Sequence, residues 1–194
     1  MSASATVAID DALPSIDFSN LIWAALALVV MVGVIAIDVP WALNFVHVMA
    51  GVMWTGIDLF MGFVIGPIMR RLPLPARRAM ICRLMPRMLF LMPTLAIITG
   101  TAGWFHAREL GFLELDYPAF WWVIASLVIV AILTVQGLGV LLPTNLLVYF
   151  ELRKPRPDGA HIGRLMRRYV AAVAFQGVMQ VAIIVVMARF VTGF

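Results

Sequence analysis

The chain has 194 residues, 63% hydrophobic and only 12% charged, with a formal net charge of +4. Its mean hydropathy of +1.02 excludes an ordinary soluble domain and predicts an all-α integral membrane protein that crosses the bilayer several times. The pI near 10.0 does not mark a nucleic-acid binder, because the basic residues cluster between apolar runs.

Five apolar runs emerge in chain order, and residues 21–194 read as a single transmembrane domain without internal repeat. Residues 1–20 are polar and acidic, a short tail with a surface turn around Pro14. The first helix is expected over about 21–38, with no basic n-region before it and no small-x-small cleavage site after it, so it is read as retained. Asp38-Val39-Pro40 reads as a tight turn, with Pro40 or Trp41 opening the second helix, expected over 41–69. A loop over Arg70–Arg78 contains Pro73 and Pro75. The third helix, about 79–105, is expected to kink at Pro86 and Pro93. Residues 106–118 read as a polar connection. The fourth helix is expected over 119–150, with Pro143 near its end, and the fifth over 164–191. Helices two to five are expected to form a four-helix-bundle core.

Six basic residues (Arg70, Arg71, Arg77, Arg78, Arg83, Arg87) flank the second connection, and six more (Arg153, Lys154, Arg156, Arg164, Arg167, Arg168) flank the fourth. Only Arg108 and Arg189 lie elsewhere. That asymmetry predicts an inner (plasma) membrane protein with a cytoplasmic N-terminus and a periplasmic or extracellular C-terminus. Trp41, Trp104, Trp121 and Trp122 then fall at the outer ends of helices, as an interfacial aromatic belt requires.

The second helix carries polar residues that hydrocarbon does not accept freely. Eleven residues separate His47 from Asp58, about three full turns, so they share a face roughly 16 Å apart. Gly51 and Thr55 lie between them, which predicts a face turned toward other helices or a cofactor. His106 closes the third helix at the same leaflet as His47. Two such histidines suit the axial positions of a haem b, or part of a copper site, or simple interhelical hydrogen bonding. Arg83 and Arg87 share one face and could hold an anion such as a haem propionate, or snorkel to lipid headgroups. Asp58 sits near mid-membrane, where Arg87 is in reach as an ion-pair partner and a proton-relay role is the alternative. Gln136 and Gln176 fall near its depth, with Gln180 and Tyr169 on the face of Gln176. His161 reads as a surface residue. The lone Cys82 excludes an intrachain disulfide, and the 13 methionines are scattered as apolar filler rather than a copper box. Walker, Rossmann, GxSxG, HExxH and zinc-finger signatures are absent.

His47-x6-Trp54-x-Gly56-x3-Phe60 followed by Gly66-Pro67 and Arg70-Arg71 resembles the first core helix of the CopD/HemJ-like superfamily of small membrane proteins. Arg83-Leu84-x-Pro86-x6-Pro93-Thr94-x5-Gly100-x2-Gly103-Trp104 resembles their second. The likeness covers roughly residues 41–105. It implies that His47 is a haem b ligand, as the matching histidine is in the HemJ-type members. Those proteins usually carry a second histidine shortly after the first core helix, where Ile68 to Leu72 here offer only arginines as charged residues, so the resemblance leaves their oxidase activity open for this chain. The expected function is therefore haem b-dependent redox or electron transfer, with His47 and His106 as metal ligands and enzymatic turnover undecided. The alternatives are a non-catalytic subunit or anchor of a larger respiratory or transport complex, or passage of copper or a small solute along Asp58, Gln136 and Gln176. Expected partners are membrane lipids and other membrane subunits or further copies of this chain, with no nucleic acid.

Overall fold

The computed structural model describes residues 15–193; the turn expected around Pro14 and most of the 1–20 tail lie outside them. All regular structure among the described residues is helical. Among the described residues five helical runs are long and apolar enough to cross a membrane: Asn20–Ile37, Pro40–Arg71, Leu74–Glu109, Phe120–Arg153 and Gly159–Thr192. They extend beyond the greasy segments read from sequence, so the connections shrink. Hydropathy marks only the apolar middle of a helix, whereas Arg, Glu and Leu continue helical geometry into polar ground.

α1 (Asn20–Ile37) ends at Asp38, which adopts the left-handed conformation at φ 56°. Short polar side chains tolerate that region better than most. Val39 is extended and Pro40 occupies the first turn of α2 (Pro40–Phe60), the tight turn expected there. A π-helical turn over Met61–Ile65 separates α2 from α3 (Gly66–Arg71). The fourth run repeats this plan: α5 (Phe120–Gln136), a π turn over Gly137–Leu141, then α6 (Leu142–Arg153). Pro67 and Pro143 are each the second residue after their π turn. A proline ring collides with the carbonyl four residues back in a regular α-helix, and the wider π turn gives it room. The chain thus has a structural repetition that its sequence does not display.

α4 (Leu74–Glu109) is the exception. Pro86 and Pro93, the expected kink positions, both lie inside one continuous helical run. A 3₁₀ turn, Phe112–Glu114, follows, and α7 (Gly159–Thr192) completes the chain. α2 packs most extensively on α4, α5 on α7, and α6 on both α4 and α7. α1 lies mainly against α4. One apolar cluster joins Met31, Ala50, Trp54, Leu95, Ile98 and Leu133 from α1, α2, α4 and α5. A second joins Cys82, Val148 and Leu152.

The polarity of this bundle is inverted relative to a soluble domain. Phe63, Ile22 and Val135 are more than 70% exposed, while Gln136, Gln176 and Gln180 are 8% exposed or less.

The two basic connections meet at one end. Arg78 donates from Nε to the Leu152 carbonyl (2.7 Å) and from Nη2 to that of Lys154 (3.3 Å). Arg77 donates to the carbonyls of Arg70 (3.0 Å) and Leu72 (3.2 Å). Both guanidiniums therefore satisfy carbonyls that helix ends leave open. Glu151 accepts from Lys154 Nζ at 2.5 Å and from the Asp158 amide at 3.0 Å. Asp158 caps α7 by accepting from the Ala160 and His161 amides at 2.8 and 3.0 Å. These bonds, His161 first, hold its carboxyl below the ordinary aspartate range. A lowered folded-state value means the cap contributes fully above the unfolded value, near pH 4, and is lost as pH falls below it. Amide exchange at Ala160 and His161 should accelerate over that acid range. Asp158→Asn, which still accepts a hydrogen bond, should flatten the acid dependence, and an unchanged profile in that variant would refute this role of the cap.

Candidate functional site

The second helix places its two unusual residues against different neighbours. His47, in the second turn of α2, reaches α4: its Nδ1 lies 2.9 Å from the Thr99 carbonyl oxygen. A carbonyl only accepts, so Nδ1 carries the proton and Nε2 of the neutral ring keeps its lone pair. One turn beyond Thr99, Gly103 underlies the ring. A Cβ there would stand 2.6 Å from His47 Cε1 and 2.7 Å from Nδ1, so the helices meet at this distance only because that position is glycine. Gly51 supports the same approach, since its Cβ would touch Thr99 Cγ2 at 3.4 Å.

His106 follows Gly103 by about one turn, and its ring is near enough to His47 for electrostatic interaction. Its Nδ1 is buried without a hydrogen-bond partner, 4.0 Å from Glu109 Oε2, itself without one. The structure therefore brings His47 and His106 together, as the antiparallel pairing of their helices predicts. Arg83 and Arg87 are not part of this group. Both side chains are exposed, and Arg87 lies roughly 18 Å along α4 from Thr99 at about 1.5 Å per residue. Arg83 donates to the Ala79 carbonyl at 3.4 Å.

Asp58 faces α7. Its Oδ2 accepts from Gln176 Nε2 and from Gln180 Nε2, the latter at 2.7 Å, and Trp54 lies one turn before it on α2. The expected ion pair with Arg87 is replaced by these neutral donors. Gln136, grouped with Asp58 on depth alone, turns elsewhere and donates to the Ala172 carbonyl, tying α5 to α7. Tyr169 lies close to Asn145 and within electrostatic range of Asp58. Asn145 did not stand out in the sequence; its position two residues after Pro143, just past the second π turn, was the available signal.

A cavity of about 2070 Å³ runs between the helices. Its walls are mainly apolar, with Trp54, Asp58, Asn145, Tyr169, Gln176 and Gln180 as polar features and Arg70, Arg77, Arg78 and Arg167 also on its lining. His47 and His106 are not on that lining, so the carboxylate and the histidine pair are separate sites.

Other candidates fall into supporting places. Cys82 is fully buried against Val148 and Leu152. His161 sits in the first turn of α7 beside Arg164, whose Nη2 is 3.4 Å from its Nδ1. Among the described residues no group of three or more His, Cys, Asp and Glu is arranged to hold a metal ion. No protein-family model, curated protein or solved structure matches the chain.

Proposed function

We propose that the chain is a five-span inner-membrane protein that would hold haem b through His47, with His106 as a second ligand, and serves in electron transfer. The observation that carries this reading is the fixed tautomer of His47. A metal-ligating imidazole characteristically donates its other N–H to a backbone carbonyl or carboxylate, and the Thr99 carbonyl supplies that contact. The donor set fits the group in this respect, and His106 adds a neighbouring ring with an unpartnered buried nitrogen. Arg83 and Arg87 do not fit as propionate holders for the same haem, because they stand too far along α4. When bound, the haem would supply a one-electron iron couple. The protein's own contributions are orientation of His47 by Thr99, space for its ring at Gly103, and helix packing that keeps water from the pair. Likeness to the CopD/HemJ-like superfamily supports the same residue.

Bundle placement follows from physical pattern. Large apolar side chains outside and glutamines inside suit lipid contact, and twelve basic residues around the connections that meet at one end suit the cytoplasmic face. The segments from Pro40 onward would then form the four-helix core, with α1 applied to α4. Protein purified from haem-replete cells should show a Soret band. His47→Ala should abolish it and His106→Ala should weaken or shift it. Wild-type protein without a Soret band, or an unchanged band in His47→Ala, would overturn the assignment.

A further inference from the structure

The Asp58 cluster has an imbalance of charge and of hydrogen bonds. Asp58 accepts from two amide groups, both neutral. Among the described residues no Lys, Arg or His forms an ion pair with it. Because both glutamines turn their nitrogens to the carboxylate, their oxygens are left over. Gln176 and Gln180 are 3% and 1% exposed, and Oε1 of each is buried without a donor. Buried acceptors are rarely left so, and each costs about 1–3 kcal/mol when unmet. With Asp58 ionised, the surplus is thus one negative charge and two buried carbonyl-type oxygens, on residues that line a large cavity.

We propose that Asp58, Gln176 and Gln180 form a binding site for a monovalent cation: an alkali ion, or the primary ammonium head of an amphiphile lying in the cavity. A single positive charge balances Asp58. Oxygen ligands suit hard cations, and an ammonium has three N–H donors for the same oxygens. Apolar walls suit a ligand tail, and low dielectric strengthens the attraction to the carboxylate. This site is independent of the haem reading, since Asp58 lies roughly 16 Å along α2 from His47; a missing Soret band would leave it standing.

The test is thermal unfolding of the full chain in detergent at fixed pH and ionic strength, in sodium, potassium or choline chloride, and with added dodecylammonium. Choline lacks N–H donors and serves as the reference. A ligand that binds only the folded state raises the midpoint, so a saturable rise of several degrees with sodium, potassium or dodecylammonium is expected. It should vanish in Asp58→Asn and shrink at least tenfold in apparent affinity in Gln180→Leu. If Asp58→Asn does not fold, radioactive sodium and dodecylamine binding to wild type and Gln180→Leu provides the same comparison. A response to the alkali ion alone assigns a free ion, and one to the amine alone assigns a ligand head. Identical curves in all conditions, an equal response in Asp58→Asn, or stabilisation by acid alone would overturn the proposal, the last showing that a proton suffices.

Discussion

Asp58→Leu should destabilise the folded protein by about 2–4 kcal/mol and Asp58→Asn by distinctly less. Leucine removes the acceptor shared by Gln176 and Gln180, leaving two donors unmet in the bundle interior. Interhelical hydrogen bonds in membrane proteins average ~0.6 kcal/mol with a maximum of ~1.7, whereas an orphaned buried donor in water-soluble proteins costs ~1–3 kcal/mol. Two such losses give the stated range. Asparagine keeps one acceptor oxygen and nearly the same volume. The triple variant Asp58→Leu, Gln176→Leu, Gln180→Leu should recover much of the loss, because removing all partners is milder than stranding some. Denaturation in detergent measures each term. If Asp58→Leu costs no more than Asp58→Asn, the cluster does not hold α2 to α7.

Gly103→Ala should cost about 1–3 kcal/mol, the usual range for overpacking a close contact. The added methyl would sit 2.6 Å from His47 Cε1. The ring is pinned by its bond to Thr99, so relief requires breaking that bond or separating α2 from α4. The pair should therefore be coupled. In His47→Ala the same substitution has room, so the double variant should be more stable than the two single losses predict when added. Strict additivity would mean that Gly103 is not there for His47. In haem-bound protein Gly103→Ala should also perturb the Soret band, since it displaces the proposed ligand.

Legibility from sequence followed depth along the helix rather than rotation around it. Counting residues from the basic ends placed Asp58, Gln136 and Gln176 at a common level and set Gln180 one turn from Gln176. Two of the three glutamines do meet Asp58. Gln136 does not, because its direction depends on how α5 is rotated against α7. Arg87 was within reach by length, yet its side chain lies exposed while α7 supplies neutral donors. The prolines show the same limit. Pro86 and Pro93 stay within one continuous helical run, while the wide turns formed before Pro67 and Pro143, where five residues of each chain segment could open into π geometry.

Sequence alone determined the class of this protein: apolar run lengths set five long helices, the placement of arginines grouped the two basic connections, and antiparallel succession put His47 and His106 at one level. Tertiary structure decided the chemistry. It put the Thr99 carbonyl on His47, chose glutamines over an arginine for Asp58, and separated the His47–Asp58 face into two sites with different neighbours. The physical reason is that period and hydropathy are properties of one helix, whereas a hydrogen bond between helices depends on the rotation and close approach of both, set here by glycines such as Gly103 and by the packing of every other side chain at the contact.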